Sequence, residues 1–183
     1  VAVVAQKPGG IPETCHDYLG DLRGWEVLNA RNVYKQSLAD FAFMRTHETL
    51  ELTEAEFLPA TNDAVVVVTN PHFNALLVHE IIGHPTEADR ALKLETAYAG
   101  RSWLWRDLHD NELGKQIASP LLTAYSDPSI NGYGHYKYDA EGTPAKRVTL
   151  IENGILREFM NGRKYAAILD HSPNGSMRAT ESH

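Results

Sequence analysis

Apolar and polar positions change their period several times along the chain. The opening VAVVA (1–5) is a short apolar run, broken by the Gly/Pro cluster of QKPGGIPET, and reads as a strand. The end of GDLRGWEVL (20–28) reads as a second short strand. From about Asn32 the spacing lengthens: Tyr34, Leu38 and Phe41 recur at i, i+4 and i+7, with no Pro or Gly before Pro59, which predicts a helix across much of 32–57. LPATND (58–63) is a loop. AVVVVT (64–69) is β-branched and bounded by turn residues, the mark of a strand buried on both faces. Asn70 and Pro71 then supply a helix N-cap and a first-position proline, so a helix is expected to carry Phe73 to about Gly83. A further helix is expected through EADRALKLETAY (87–98), and helix or loop through LWRDLHDNELGKQI (104–117).

From about Ser119 the texture becomes β, with LLTAYSD and GHYKYD separated by Gly, Pro and Asn. In VTLIENGILREFM (148–160), Asn153-Gly154 links two apolar stretches and predicts a hairpin with a type I′ turn. The fold class is therefore expected to be α+β: an α/β N-terminal part with a long helix and a buried strand, then a mostly antiparallel, β-rich C-terminal part. The division is expected near residue 118, giving domains 1–118 and 119–183. The chain opens on Val1 and stops after ATESH in mid-pattern, which reads as a piece of something longer, with the second domain incomplete.

Composition narrows the function classes. Of 183 residues, 43% are hydrophobic and 22% charged, an ordinary globular balance that argues against disorder. The net charge of −7 and the lack of any basic run argue against a nucleic-acid or membrane-surface partner. The single cysteine, Cys15, cannot form an internal disulfide, so the cytoplasm is the default location. No apolar run approaches the roughly 20 residues that span a bilayer.

The chemistry concentrates in VHEIIGHPTEADR (78–90), where His79 and Glu80 are followed by His84, five positions after the first histidine. Each residue of a regular helix turns about 100°, so histidines four apart share a face and histidines five apart diverge by about 140°. The spacing therefore presupposes a break. Pro85 is expected to push His84 out of the α region, with Gly83 tolerating the backbone angles that the break needs. If the imidazoles meet one ion, zinc suits them, and Glu80 becomes the general base. The alternative, two ordinary helix-end histidines, stays open on spacing alone. Glu87 is a candidate ligand, and Asp89 and Arg90 are candidates for orienting the ligands; a first-turn acid and a surface ion pair is the plainer alternative. His72, His135, His171 and His183 are scattered, and Cys15 lies far from the motif.

The ordered set HEIIGHPTEADR, YAGR (98–101), YDAEGTP (138–144), VTLIENGIL (148–156) and NGSMRATES (174–182) resembles the TldD/PmbA family of metalloproteases, also called modulators of DNA gyrase. That pattern combines HExxxH, a downstream E-x-D-R, a D-D-E-G-T-P turn, a strand-NG-strand hairpin and a later glycine-arginine segment. The match is good across 64–160 and thinner on either side. Ala140 stands where the family often has a second acid, and 174–182 carries extra residues.

The resemblance implies an intracellular zinc peptidase acting on peptides or unfolded segments, with His79 and His84 as metal ligands and Glu80 as the catalytic residue. It implies a paralogue or a second copy as partner subunit, and places a third zinc ligand at a cysteine beyond residue 183. The chain as given is thus expected to hold zinc weakly and to lack peptidase activity. A non-catalytic binding or scaffolding subunit of a TldD/PmbA-type complex is the alternative, and a different metal-dependent hydrolase using His79, His84 and Glu87 is a third.

Overall fold

A computed structural model describes residues 1–20, 23–31, 35–95, 100–107 and 109–179. Tyr34 of the expected helix, the end of the expected 87–98 helix, the start of YAGR, the end of NGSMRATES and His183 lie outside the described residues. Two compact units are present, Val1–Val66 and Val67–His183, each described by itself.

In the first unit the expected opening strand forms as β1 (Ala2–Ala5), and it pairs antiparallel with β2 (Glu13–His16), Ala2 facing His16 and Ala5 facing Glu13. The periodic stretch forms α1 (Leu38–Leu52), shorter than 32–57. Its start is fixed by a capping box: the Ser37 hydroxyl accepts from the Asp40 N–H, and the Asp40 carboxylate accepts from the Ser37 N–H. The helix buries Phe41 and Thr49, while Arg45 reaches the buried Asp17 at 3.3 Å. WEVL is not a strand. Trp25–Leu28 closes into a 3-10 turn through Val27 N–H to Gly24 O and Asn29 N–H to Glu26 O, because i to i+3 bonds satisfy the backbone there without a neighbouring strand.

The expected buried strand at 64–69 is also corrected. Val65, Val66, Val67 and Val68 are exposed, Val66 by 96%, and no described strand pairs with them. A β-branched run carries a preference for the pleated conformation but not a partner, and without a ladder its backbone stays with solvent.

The second unit begins with α2 (Pro71–Val78), capped as expected by the Asn70 side chain, which accepts from the Phe73 N–H at 2.8 Å. A π-helical turn (His79–Gly83) and a 3-10 turn (His84–Thr86) follow without a gap, and then the short α3 (Ala88–Ala91). LWRDLHDNELGKQI is neither helix nor simple loop. Trp105–Asp107 (β3) and Asp110–Asn111 (β4) pair antiparallel, the turn held by the Asp107 carboxylate, which accepts from the N–H groups of His109 and Asp110. The C-terminal sheet has the order β5 (Ala124–Ser126), β6 (Val148–Glu152), β7 (Ile155–Leu156), all antiparallel. Asn153 (φ 50°) and Gly154 (φ 79°) both sit in the left-handed region, as a type I′ turn requires. GHYKYD contributes only an isolated bridge between Tyr138 and Pro144. A further helix, α4 (Arg163–Ile168), was not expected.

One apolar cluster joins these pieces: Ile82 from the π turn, Ala88 and Ala91 from α3, Leu104 and Trp105 at the start of β3, Val148, Leu150, Ile151 and Leu156 from the β6–β7 hairpin, and Phe159 just after it. Leu113, Ile117 and Leu122 pack against it, so residues on both sides of 118 share this core. The antiparallel sheets and helices make the chain α+β. No helix among the described residues is long and apolar enough to cross a membrane.

Candidate metal centre

The five-residue spacing is resolved by the π turn. Its closing bond runs from the His84 N–H to the His79 carbonyl, an i to i+5 connection that brings residue 84, rather than 83, back over residue 79. The two imidazoles therefore come together, ring centroids 4.4 Å apart and edge to face at 79°. The expected convergence is present, but its expected cause is not. His84 keeps right-handed helical angles (φ −56°, ψ −45°) despite Pro85, and Gly83 is right-handed too (φ −54°, ψ −69°). The proline's bias against the α region is a preference, and the hydrogen bond at the His84 N–H outweighs it.

Other groups hold the turn. Ile82 points into the apolar cluster, while His79 and Glu80 on the same turn are exposed. The Thr86 hydroxyl donates to carbonyls that the regular ladder leaves behind, Ile82 O at 2.8 Å and Gly83 O at 3.0 Å. The Ser102 hydroxyl donates to Pro85 O at 2.6 Å. Beyond the turn, the Met160 N–H donates to Thr86 O (2.8 Å) and the Ala88 N–H to Met160 O (2.9 Å), a parallel bridge that brackets Glu87. Sequence reasoning missed Thr86, Ser102 and Met160. A threonine just past a helix-breaking proline is a signal for Thr86; the other two act across sequence distances that carry no local pattern.

His79, Glu80 and His84 each offer a donor atom, and the three donors lie within 4.8 Å of one another. His84 Nε2 is 3.9 Å from Glu80 Oε2. Two nitrogens on one tetrahedral zinc sit about 3.4 Å apart, given bonds of about 2.0–2.1 Å, so small side-chain movements would close the set on one ion. Two imidazoles with a carboxylate are also a donor set that zinc favours.

Glu87 is not in this cluster. Both of its carboxylate oxygens lie 3.2 Å from His84 Nδ1, and its Oε2 also accepts from Arg90 Nε. Asp89 accepts from the Arg90 N–H at 2.7 Å, and its partial burial holds its carboxyl above the usual carboxylate range, despite that hydrogen bond. Cys15 lies on β2 in the first unit. The His135 Nδ1 is buried without a partner among the described residues.

Comparisons with known proteins identify the family. Residues 62–183 match the family model described as the PmbA/TldA metallopeptidase C-terminal domain. A metalloprotease of Methanothermobacter thermautotrophicus is 31% identical over 176 residues, covering 96% of this chain and 35% of that protein. A zinc metalloprotease TldD homolog of Saccharolobus solfataricus is 34% identical over 115 residues, 62% of this chain and 23% of that one. The chain thus spans about a third or less of these relatives. Among solved structures, a modulator of a DNA gyrase from Thermotoga maritima aligns with a TM-score of 0.62 at 19% identity, over 97% of this chain and 36% of that one, a likeness of fold. With two thirds of its residues matched by the family model, and a π turn that brings an HExxxH triad together inside the matched segment, the chain belongs to the TldD/PmbA family.

Proposed function

We propose that this chain carries the zinc-binding and proton-transferring residues of a peptidase that cleaves peptides or unfolded polypeptide segments. The observation that supports it most is the convergence of His79, Glu80 and His84 donors across the π turn. His79 and His84 would hold zinc through ring nitrogens, His84 through Nε2, because its Nδ1 faces Glu87. When bound, zinc supplies a Lewis acid that polarises a peptide carbonyl and makes water acidic near neutrality. Glu80 is exposed at the mouth of the cluster, where its carboxylate can take a proton from the attacking water and hand it to the leaving amine. Within this chain neither Glu80 nor His79 is buried. The relatives' names support the peptidase class, and one of them names zinc.

A second reading has Glu80 as a zinc ligand, favoured by its place among the converging donors. Metal content and turnover of an unstructured peptide, measured on the full-length protein, separate the two. Under the proposal Glu80→Gln keeps its zinc and loses at least about 100-fold in turnover, the usual scale of general acid–base catalysis. His79→Ala loses both. Equal zinc loss in the two variants would make Glu80 a ligand, and a zinc-loaded wild-type protein that cleaves no peptide would favour a non-catalytic scaffolding subunit.

A further inference from the structure

The carboxylate of Glu87 faces the edge of the His84 ring opposite the one turned toward Glu80. Both Glu87 oxygens lie 3.2 Å from Nδ1, whereas Nε2 lies 3.9 Å from Glu80 Oε2. A carboxylate accepts only, so a neutral His84 must place its proton on Nδ1 and its lone pair on Nε2. The backbone leaves Glu87 little choice of position. The flanking Thr86 carbonyl and Ala88 N–H are both bonded to Met160, and the Glu87 N–H itself donates to the His84 carbonyl at 3.2 Å. From α3, Arg90 donates to Glu87 Oε2 through Nε, with a side chain only 11% exposed. Arginine stays charged throughout the working pH range, so this contact holds the Glu87 side chain in place and turned toward the ring.

Resting on the zinc reading above, we propose that Glu87 and Arg90 are positioning residues of the centre: Glu87 selects the Nδ1–H tautomer of His84 and fixes its ring plane, and Arg90 holds Glu87 in that pose and away from the metal. The arrangement is a carboxylate–histidine–metal relay with an arginine clamp. It assigns Glu87 a role distinct from ligation, and gives the E-x-x-R spacing a physical purpose: three residues apart across the start of α3, the two side chains meet.

The test uses metal-free full-length protein titrated with zinc against a chromophoric chelator. Glu87→Ala and Arg90→Met should weaken zinc binding, the first by about 10–100-fold, the range found for partners behind a ligand. Glu87→Gln, which keeps the shape and a carbonyl acceptor, should recover most of the loss. His84→Ala should cost more than any of them. A second readout is the ring itself. At about pH 8, well above an ordinary imidazole pKa, nitrogen–proton correlation spectra should show His84 as the Nδ1–H tautomer in the wild type and as a mixture in Glu87→Ala. Circular dichroism identifies any variant that fails to fold, and Arg90→Met, which frees Glu87 from its clamp, then carries the spectroscopic comparison, with a mixture of His84 tautomers expected.

Wild-type zinc affinity and tautomer in Glu87→Ala would overturn the proposal, as would a loss in Glu87→Gln equal to that in His84→Ala, which would make Glu87 a ligand. If His79→Ala and His84→Ala also left zinc affinity unchanged, the zinc reading itself would fall, and the relay with it.

Discussion

At the residue scale, the site depends on side chains far from the motif in sequence. Asn161 and Asn174 bond each other's backbone reciprocally, each side-chain oxygen accepting the other's N–H at 2.9 Å, and Asn174 Nδ2 donates to Phe159 O and Glu158 Oε1. Asn174 has no exposed surface. This pair fixes residues 158–161, the segment whose Met160 brackets Glu87. Asn174→Ala strands buried partners and should cost roughly 2–4 kcal/mol, read from urea unfolding. A change below about 0.5 kcal/mol would show the pair to be ornamental. Gly154→Ala should also destabilise, because its φ of 79° disfavours a side chain and an added Cβ would collide with Gln116 and the Ala118 carbonyl. The role of Gly154 was legible from the Asn-Gly pair alone. That of Asn174 was not, since a reciprocal pair 13 residues apart has no signature in either half.

At the element scale, the π turn, rather than the proline, places the histidines. Gly83 has ordinary angles, and a Cβ built on it meets only the Val78 carbonyl at 3.8 Å. Gly83→Ala should therefore leave zinc affinity unchanged and stabilise by up to about 1 kcal/mol, through the entropy of the unfolded chain. A collapse of zinc binding in this variant would restore the reading in which glycine enables the break. In the first unit, Ser37→Ala removes the cap of α1 and should cost about 1 kcal/mol. Asp40, bonded chiefly by the Ser37 N–H and also by its hydroxyl, is held below its ordinary value of 3.8. A carboxyl lowered by folding contributes stability fully above the unfolded value, and loses it as pH falls through the folded one. The cap should accordingly weaken only below about pH 3.8, seen as faster amide exchange at Asp40 and Phe41.

Elements announced by local rules, the Asn-Pro start of α2 and the Asn-Gly hairpin, were legible in the sequence. The convergence of His79 and His84 was legible as a need, though the means was not, because a π turn and a kink satisfy the same spacing. β2, the β3–β4 hairpin and the fate of Val65–Val68 were not legible, because each depends on which strand is nearby rather than on the run itself.

At the scale of the whole molecule, two compact units are present, and the family model covers the whole of the second. That unit holds the converging donors, the residues that brace them and one continuous core, so the centre is built on packed elements rather than on a free loop. The chain spans about a third of the length of its Methanothermobacter relative. The partner suggested by the resemblance, a paralogue or a second copy, predicts a larger species than the monomer in light scattering of the full-length protein. Under the proposed function, one ion is shared by His79 and His84 across the π turn. Zinc-edge X-ray absorption on the full-length protein, wild type against His84→Ala, tests it most directly. Two imidazole nitrogens at about 2.0–2.1 Å are expected in the wild type, and either no bound zinc or a single imidazole in the variant; an unchanged spectrum in His84→Ala, or one without imidazole scattering in the wild type, would contradict it.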